Sequence, residues 1–276
     1  MQIKAIHAVF FSPVGHTKNT VLRIAYTLAD LLHCDVREDD YTLPAQRQEK
    51  RFYDNEDLVV FGVPVYAGRI PNKILPFVQT LFEGNRTPAV AMACFGNRSY
   101  DEALKEIGKE LSAHGMVPFA AAACVTPHVM SNILGAGRPD ASDLENEQTW
   151  IRQIFQQLKE AKTSGELHKV RVAPKEEVGP YYRPLEEDGT PADFLKEKPV
   201  TDTEKCDLCG ICASCCPMGS IDREDITKTP GICIKCHACI RKCPESARRF
   251  DDPSLISHRE MIVTHYAERK ESAVFI

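Results

Sequence analysis

The sequence predicts an α/β protein: a doubly wound parallel sheet followed by a small, cysteine-rich α+β module. Two observations lead there. Across residues 1–160, short apolar runs alternate with stretches whose apolar residues recur at helical spacing, the pattern of strands joined by helices in one parallel sheet. Across residues 201–250, one cysteine pattern occurs twice. Residues 161–200 lose periodicity and carry Pro174, Pro180, Pro184, Pro191 and Pro199 among charged stretches, so they read as a semi-extended connector, with packing of Gly179 to Pro184 along the N-terminal domain as the alternative. Residues 251–276 read as a closing helix and tail.

The whole-chain numbers bound the reading. At 276 residues there is room for one domain of ordinary size beside the cysteine module. The net charge of -5, from 39 acidic against 34 basic side chains, gives no basic footprint for nucleic acid or an anionic membrane surface. No run approaches the roughly 18 apolar residues of a membrane span, and the start lacks the features of a signal peptide. Nine of the twelve cysteines lie in the repeated segment and the other three, Cys34, Cys94 and Cys124, in apolar runs, where they read as core. A reducing cytoplasm, low in oxygen, is the expected compartment.

In chain order, Ile3 to Phe11 reads as a strand buried on both faces. Val21, Ile24, Leu28 and Leu31 then recur at helical spacing up to His33. Between them, the turn from Ser12 to Thr20 points backbone N–H groups and hydroxyls at a helix N-terminus, an arrangement that can hold a phosphate. Its candidate ligands are Ser12, Gly15, His16, Thr17, Asn19 and Thr20. Leu58 to Val65 is a second strand, running into Pro64, Val65, Tyr66, Ala67, Gly68 and Arg69 before a helix from about Asn72 to Phe82. Ala89 to Phe95 is a third, followed by Gly96, Asn97, Arg98, Tyr100 and Asp101 and a helix carrying Leu104, Ile107 and Leu111. Val117 to Val125 is a fourth, leading into Thr126-Pro127-His128. A helix from about Asp143 to Lys159, with Trp150 on its core face, closes the unit. In such a sheet these polar loops share the carboxyl-end rim, where ligands bind. His16, His128 and His237 read as loop or surface histidines.

The three loops at Ser12 to Thr20, Pro64 to Pro71 and Gly96 to Asp101 make residues 1–160 resemble flavodoxins, although the first loop opens on Ser12-Pro13 where flavodoxins commonly have Thr. The resemblance implies a flavodoxin-like sheet binding flavin mononucleotide (FMN), with phosphate in the first loop. It implies Tyr66 stacked on the ring, Ala67 and Gly68 beside it, and Gly96, Asn97, Arg98 and Tyr100 bordering the isoalloxazine. The glycine pattern of dinucleotide-binding folds fails at Asp140, and no phosphate-loop motif of nucleoside triphosphatases occurs.

In the repeated segment, Cys206, Cys209, Cys212 and Cys216-Pro217 are echoed by Cys233, Cys236, Cys239 and Cys243-Pro244. Each copy reads C-x2-C-x2-C-x3-C-P. Three thiolates on a tight loop grip three corners of a [4Fe-4S] cube, and the fourth ligates the cube of the other copy. The assignment is Cys206, Cys209, Cys212 and Cys243 to one cluster, and Cys233, Cys236, Cys239 and Cys216 to the second. Disulfides suit small secreted domains, and zinc sites use separated C-x2-C pairs without the third and fourth cysteines, so both fit less well. Cys215 belongs to neither set. This segment resembles the two-cluster bacterial ferredoxins, and the whole chain resembles flavodoxin–ferredoxin fusions of anaerobes.

The resemblance implies an electron-transfer flavoprotein that passes electrons among FMN, two [4Fe-4S] clusters and a redox protein donor or acceptor. The alternative is an FMN-dependent reductase of a small-molecule acceptor, with Arg69, His128 or Tyr100 over the flavin. A pure redox sensor is a third reading. Whether the chain is an enzyme is left open by the sequence.

Overall fold

A computed structural model describes residues 1–170 and 177–276; Pro174 of the connector lies outside the described residues. The elements run β1 (Ala5–Phe10), α1 (His16–Leu32), β2 (Asp35–Asp40), β3 (Arg51–Tyr53), β4 (Asp57–Pro64), α2 (Leu75–Leu81), β5 (Phe82–Gly84), β6 (Thr87–Phe95), α3 (Ala103–Ala113), β7 (Met116–Val125) and α4 (Ala141–Glu160). After the connector come β8 (Val200–Thr201), α5 (Ile211–Ser214), α6 (Ala238–Arg241), β9 (Arg248–Arg249), α7 (Pro253–Tyr266) and β10 (Ala273–Phe275).

One sheet holds six strands in the order β10-β7-β6-β4-β1-β2, all parallel except β10, which pairs antiparallel with β7. With β10 set aside, the parallel strands follow the flavodoxin-like doubly wound order, with the switch point between β1 and β4. Side-chain alternation divides the core in two. Val9, Val59, Phe61 and Val63 face the layer of α2 and α3, whereas Ile6, Ala8, Leu58 and Val60 face α1 and α4. Both faces are covered, which is why these strands read as continuous apolar runs rather than alternating ones.

The helices follow from their periods. Val21, Ile24, Ala25 and Leu28 bury one face of α1, and Trp150, Ile151, Ile154 and Leu158 that of α4, whose first turn is closed by reciprocal hydrogen bonds between Asp140 and Asp143. Gly62 of β4 lets α1 approach closely: a Cβ there would stand 2.3 Å from Val21 Cγ2.

The structure corrects several boundaries. The edge strand β2, Asp-Val-Arg-Glu-Asp-Asp, has no apolar period to announce it because its side chains are solvated or half-buried. The helix expected over Asn72–Phe82 is the shorter α2, since Phe82 is already extended and pairs with β3. Cys34 is half-exposed past the end of α1 rather than core, while Cys94 and Cys124 are buried. The terminal helix stops at Tyr266, and Ala273–Phe275 extend the sheet. Among the described residues, no helix is long and apolar enough to cross a membrane.

Candidate functional site

The loops after β1, β4, β6 and β7 all leave the same end of the sheet, because the four strands are parallel. The first is built for an anion. Gly15 turns at φ 96°, and the 17-residue α1 starts behind it with no side-chain cap and no acid in its first turn. Apart from the Lys18 N–H, which the Ser12 hydroxyl caps, its first N–H groups and positive dipole end are therefore available to a phosphate. The Ser12 hydroxyl accepts from the Lys18 N–H at 2.9 Å, and the Ser12 N–H donates to Thr42 Oγ1 at 2.8 Å. Asn19 is exposed and His16 half-buried, whereas Thr17 and Thr20 are buried, the Thr20 hydroxyl donating to the His16 carbonyl at 3.1 Å. Burial pushes the Cys94 thiol up to about 12, partly offset by the side chains of Thr17 and Thr20.

The second loop folds as a tight turn. Tyr66 and Arg69 exchange backbone hydrogen bonds at 2.9 and 3.2 Å, and Ala67 and Gly68 between them have φ of 48° and 78°, the pattern of a type I′ turn. Pro64 and Val65 lead into it half-buried, and the Val65 N–H donates to the Cys94 carbonyl at 2.8 Å. Gly68 is required by closeness as well as conformation, since a Cβ would stand 2.3 Å from Asp101 Oδ2. In the third loop the buried Asn97 amide donates to the carbonyls of Tyr266 and Glu268 at 2.7 and 2.8 Å. Its oxygen accepts from the Lys270 N–H at 3.1 Å, so this side chain holds the chain's end. Tyr100 packs on Phe95 with ring centroids 5.5 Å apart, and Gly96 lies against the His128 ring.

The connector straps the second and third loops together. The Tyr182 N–H donates to the Ala67 carbonyl at 2.8 Å and the Tyr181 hydroxyl to the Ile70 carbonyl at 2.9 Å. Arg69 is paired with the buried Glu106 and donates to the Gly179 carbonyl at 3.1 Å, with Tyr181 under its guanidinium at 4.3 Å. Arg98 pairs with Asp101 and covers Tyr182 at 4.0 Å. These two arginines are structural ties of the rim rather than free surface charges.

In the cysteine module the sequence repeat is a backbone repeat. Leu208 and Lys235, each third in its motif, have φ of 61° and 55°; Gly210 and His237, each capping a one-turn helix, have 73° and 59°; Gly219 and Ser246 have 59° and 50°. The fourth cysteine of each copy accepts an N–H in the same way, Cys216 Sγ from Ser220 and Cys243 Sγ from Ala247, both at 3.3 Å. Left-handed positions inside a loop turn successive N–H groups toward one concavity, the kind of nest that binds anions and iron–sulfur groups. Cys216, Cys233, Cys236 and Cys239, from both copies, line a single cavity. Burial and then mutual repulsion among these thiols push Cys236 up, and burial chiefly holds Cys239 at about 12. The buried Arg248 donates to Ile226 O at 2.7 Å and Thr229 Oγ1 at 2.8 Å, and its Nη1 is 3.9 Å from Cys212 Sγ. Among the described residues, no three metal-ligating side chains converge as they would on a single ion. A four-iron cube instead takes one thiolate at each corner, and the donor chemistry and nests fit that demand. Cys215 lies outside both sets, with its thiol 3.6 Å from the Cys212 carbonyl.

Sequence reasoning missed the residues at the junction of sheet and module. Arg47, in the short helical turn Pro44–Arg47, is buried, lies over Phe77 at 4.5 Å and donates to the Pro217 carbonyl. Arg241 of α6 donates to Val129 O, Ser131 O and Asn132 Oδ1 in the loop after β7. His237 is buried against Phe250, and burial, then the charges of His128, Arg241 and Arg259, holds it down at about 3. Burial, then the charges of His258, Arg98 and Arg241, holds the half-buried His128 at about 4. A histidine or arginine in a polar stretch carries no local signal that a distant segment will cover it.

Fold and site together define a doubly wound α/β protein with a ligand-type rim, joined to a duplicated-cysteine module. Among solved structures, the chain is similar to a flavodoxin from the domain Archaea, at 16% identity and a TM-score of 0.38 over 57% of this chain and 99% of that one. It is similar to the rubredoxin:oxygen oxidoreductase of the anaerobe Desulfovibrio gigas, at 17% identity and a TM-score of 0.34 over 57% of this chain and 37% of that one. A third, a putative flavoprotein from Bacteroides uniformis, is 15% identical with a TM-score of 0.33 over 55% of this chain and 99% of that one. No family model and no curated protein matches the chain.

Proposed function

We propose that this chain is an iron–sulfur flavoprotein that passes electrons among FMN, two [4Fe-4S] clusters and a redox protein partner. The observation that carries the reading is the cavity lined by Cys233, Cys236 and Cys239 of one copy and Cys216 of the other. Crosswise sharing of the fourth ligand is what the repeated motif requires for two cubes. FMN would supply chemistry in which one or two electrons are held, and each cube would pass one.

The chain's own residues have defined parts. Gly15 and the first N–H groups of α1 would hold the phosphate, with the dipole of the helix favouring its charge. Tyr66 would supply the aromatic face at the second loop, and the strap of Tyr181 and Tyr182 fixes that loop against the third. In the module, the N–H groups of Ser220 and Ala247 donate to the sulfurs of the shared cysteines at 3.3 Å and fix where they point. Reduction of a small molecule by the flavin would call on Arg69, which is already committed to Glu106 and Gly179, and this favours the relay over the reductase.

Anaerobic reconstitution with iron, sulfide and FMN is the test. About eight irons and one FMN per chain are expected. Four irons or fewer after full loading, or no flavin retained, breaks the reading.

A further inference from the structure

The two cysteine sets stand differently toward the sheet. Met218 and Ile234, neighbours of Cys216 and Cys233, pack against the same buried core layer as Val65 of the second loop and Phe77 of α2. Burial, and after it the charges of Cys236 and Cys233, push the Tyr66 phenol well above its ordinary value. A Cβ at Gly219 would stand 3.5 Å from Pro44 Cγ, so the Pro44–Arg47 turn lies beside the loop that follows Cys216. The other set is less covered: Cys209 is exposed, with Leu208 and Ile211 beside it also exposed, Cys206 and Cys243 are half-buried, and only Cys212 is buried.

Arg47 is the unusual member of this junction. It is 7% exposed, spends one nitrogen on the Pro217 carbonyl, and leaves Nε and Nη1 buried without an acceptor among the described residues. Buried donors without partners are rare and call for an explanation, an unfilled anionic partner being one. Burial holds this guanidinium below its ordinary value, offset only in part by Tyr41 and Cys216.

We propose that the Cys216, Cys233, Cys236, Cys239 set is the inner one, facing the flavin loops, and that Arg47 is a positioning residue supplied to it by the N-terminal sheet. The Cys206, Cys209, Cys212, Cys243 set is the outer one. This rests on the two-cluster reading above. Reduction adds one electron, and so one negative charge, to a set's centre; a desolvated cation beside the inner set favours that state more than it does at the outer set.

Potentiometric titration of the loaded full chain, followed by EPR, tests it, with Cys209→Ser marking which signal belongs to the outer set. Arg47→Gln is expected to make the inner centre about tenfold harder to reduce at a fixed potential, a midpoint lower by about 59 mV for one electron, with the outer centre unmoved. Arg47→Lys, which keeps the charge, should recover most of that shift. An equal shift of both signals, a shift of the outer alone, or none overturns the proposal. Should Arg47→Gln not fold, limited ferricyanide treatment of the unmodified loaded chain decides. Iron lost first from the outer signal supports the assignment, and iron lost first from the inner one overturns it. Failure to load eight irons would instead sink the two-cluster reading itself.

Discussion

The guanidinium of Arg241 grips the carbonyl of Val129 with two nitrogens, Nε at 3.0 Å and Nη2 at 2.9 Å. One residue of the second cysteine helix thereby fastens the module to the loop after β7. Arg241 is exposed, so the contact is screened, and its removal in Arg241→Ala should cost on the order of 1 kcal/mol. The expected result is faster proteolysis of the connector in limited digestion, with the N-terminal sheet unfolding at an unchanged urea midpoint. An unchanged digestion pattern would show that the clamp does not set the docking.

Trp150 is the single tryptophan, 1% exposed, and its indole N–H donates to the Phe275 carbonyl at 3.0 Å. Deleting Ala273–Ile276 strips β10 from β7 and leaves that buried donor alone. A loss of about 1–3 kcal/mol is expected, together with red-shifted tryptophan emission. An unshifted spectrum with full stability would mean that the strand contributes nothing.

Gly15 holds φ at 96°, where an L side chain is strained even though a Cβ would meet nothing within 4 Å. Gly15→Ala should therefore act through the loop's shape and not through a clash. FMN affinity, followed by quenching of flavin fluorescence, should fall about tenfold, which corresponds to about 1.4 kcal/mol. Equal affinity in the variant would remove the first loop from the flavin site.

Asp140 is held at about 2, first by its hydrogen bond with Arg269; burial raises Asp143, but the bonds and charge of Arg138 together with the Asp140 N–H bring it below the usual carboxylate range. A carboxylate lowered in the folded state gives stability that is present above its unfolded value and is lost as pH falls through the folded one. Unfolding free energy should thus drop between about pH 4 and pH 2, and the drop should shrink in Arg269→Met. Within the pair, Arg138→Met takes the paired guanidinium from the buried Asp143 and leaves it the Asp140 N–H, the Ser272 hydroxyl and Arg269 at 3.9 Å, and about 3 kcal/mol is expected to be lost in chemical denaturation.

Cys215 supplies a control for the cluster assignment. Cys215→Ser should leave iron content at about eight per chain, whereas Cys239→Ser should remove roughly half, since each cube holds four. Iron loss from the first variant would mean that the ligand sets are drawn wrongly.

The amino-acid sequence by itself determined what depends on local repetition. Apolar runs between helical periods specify a parallel sheet with buried faces, and the repeated cysteine spacing specifies a repeated backbone, because left-handed turns recur wherever the motif does. Edge strand β2 escaped because a strand with solvated side chains carries no apolar period, and β10 because three residues are too few to show one. Only the tertiary structure decided which side chains meet across the chain. Arg47 reaches Pro217, Asn97 takes the carbonyls of Tyr266 and Glu268, and Arg69 is claimed by Glu106. Those pairings arise when distant segments bury each other's polar groups and every buried donor must find an acceptor, a demand set by the assembled fold and absent from any single stretch of sequence.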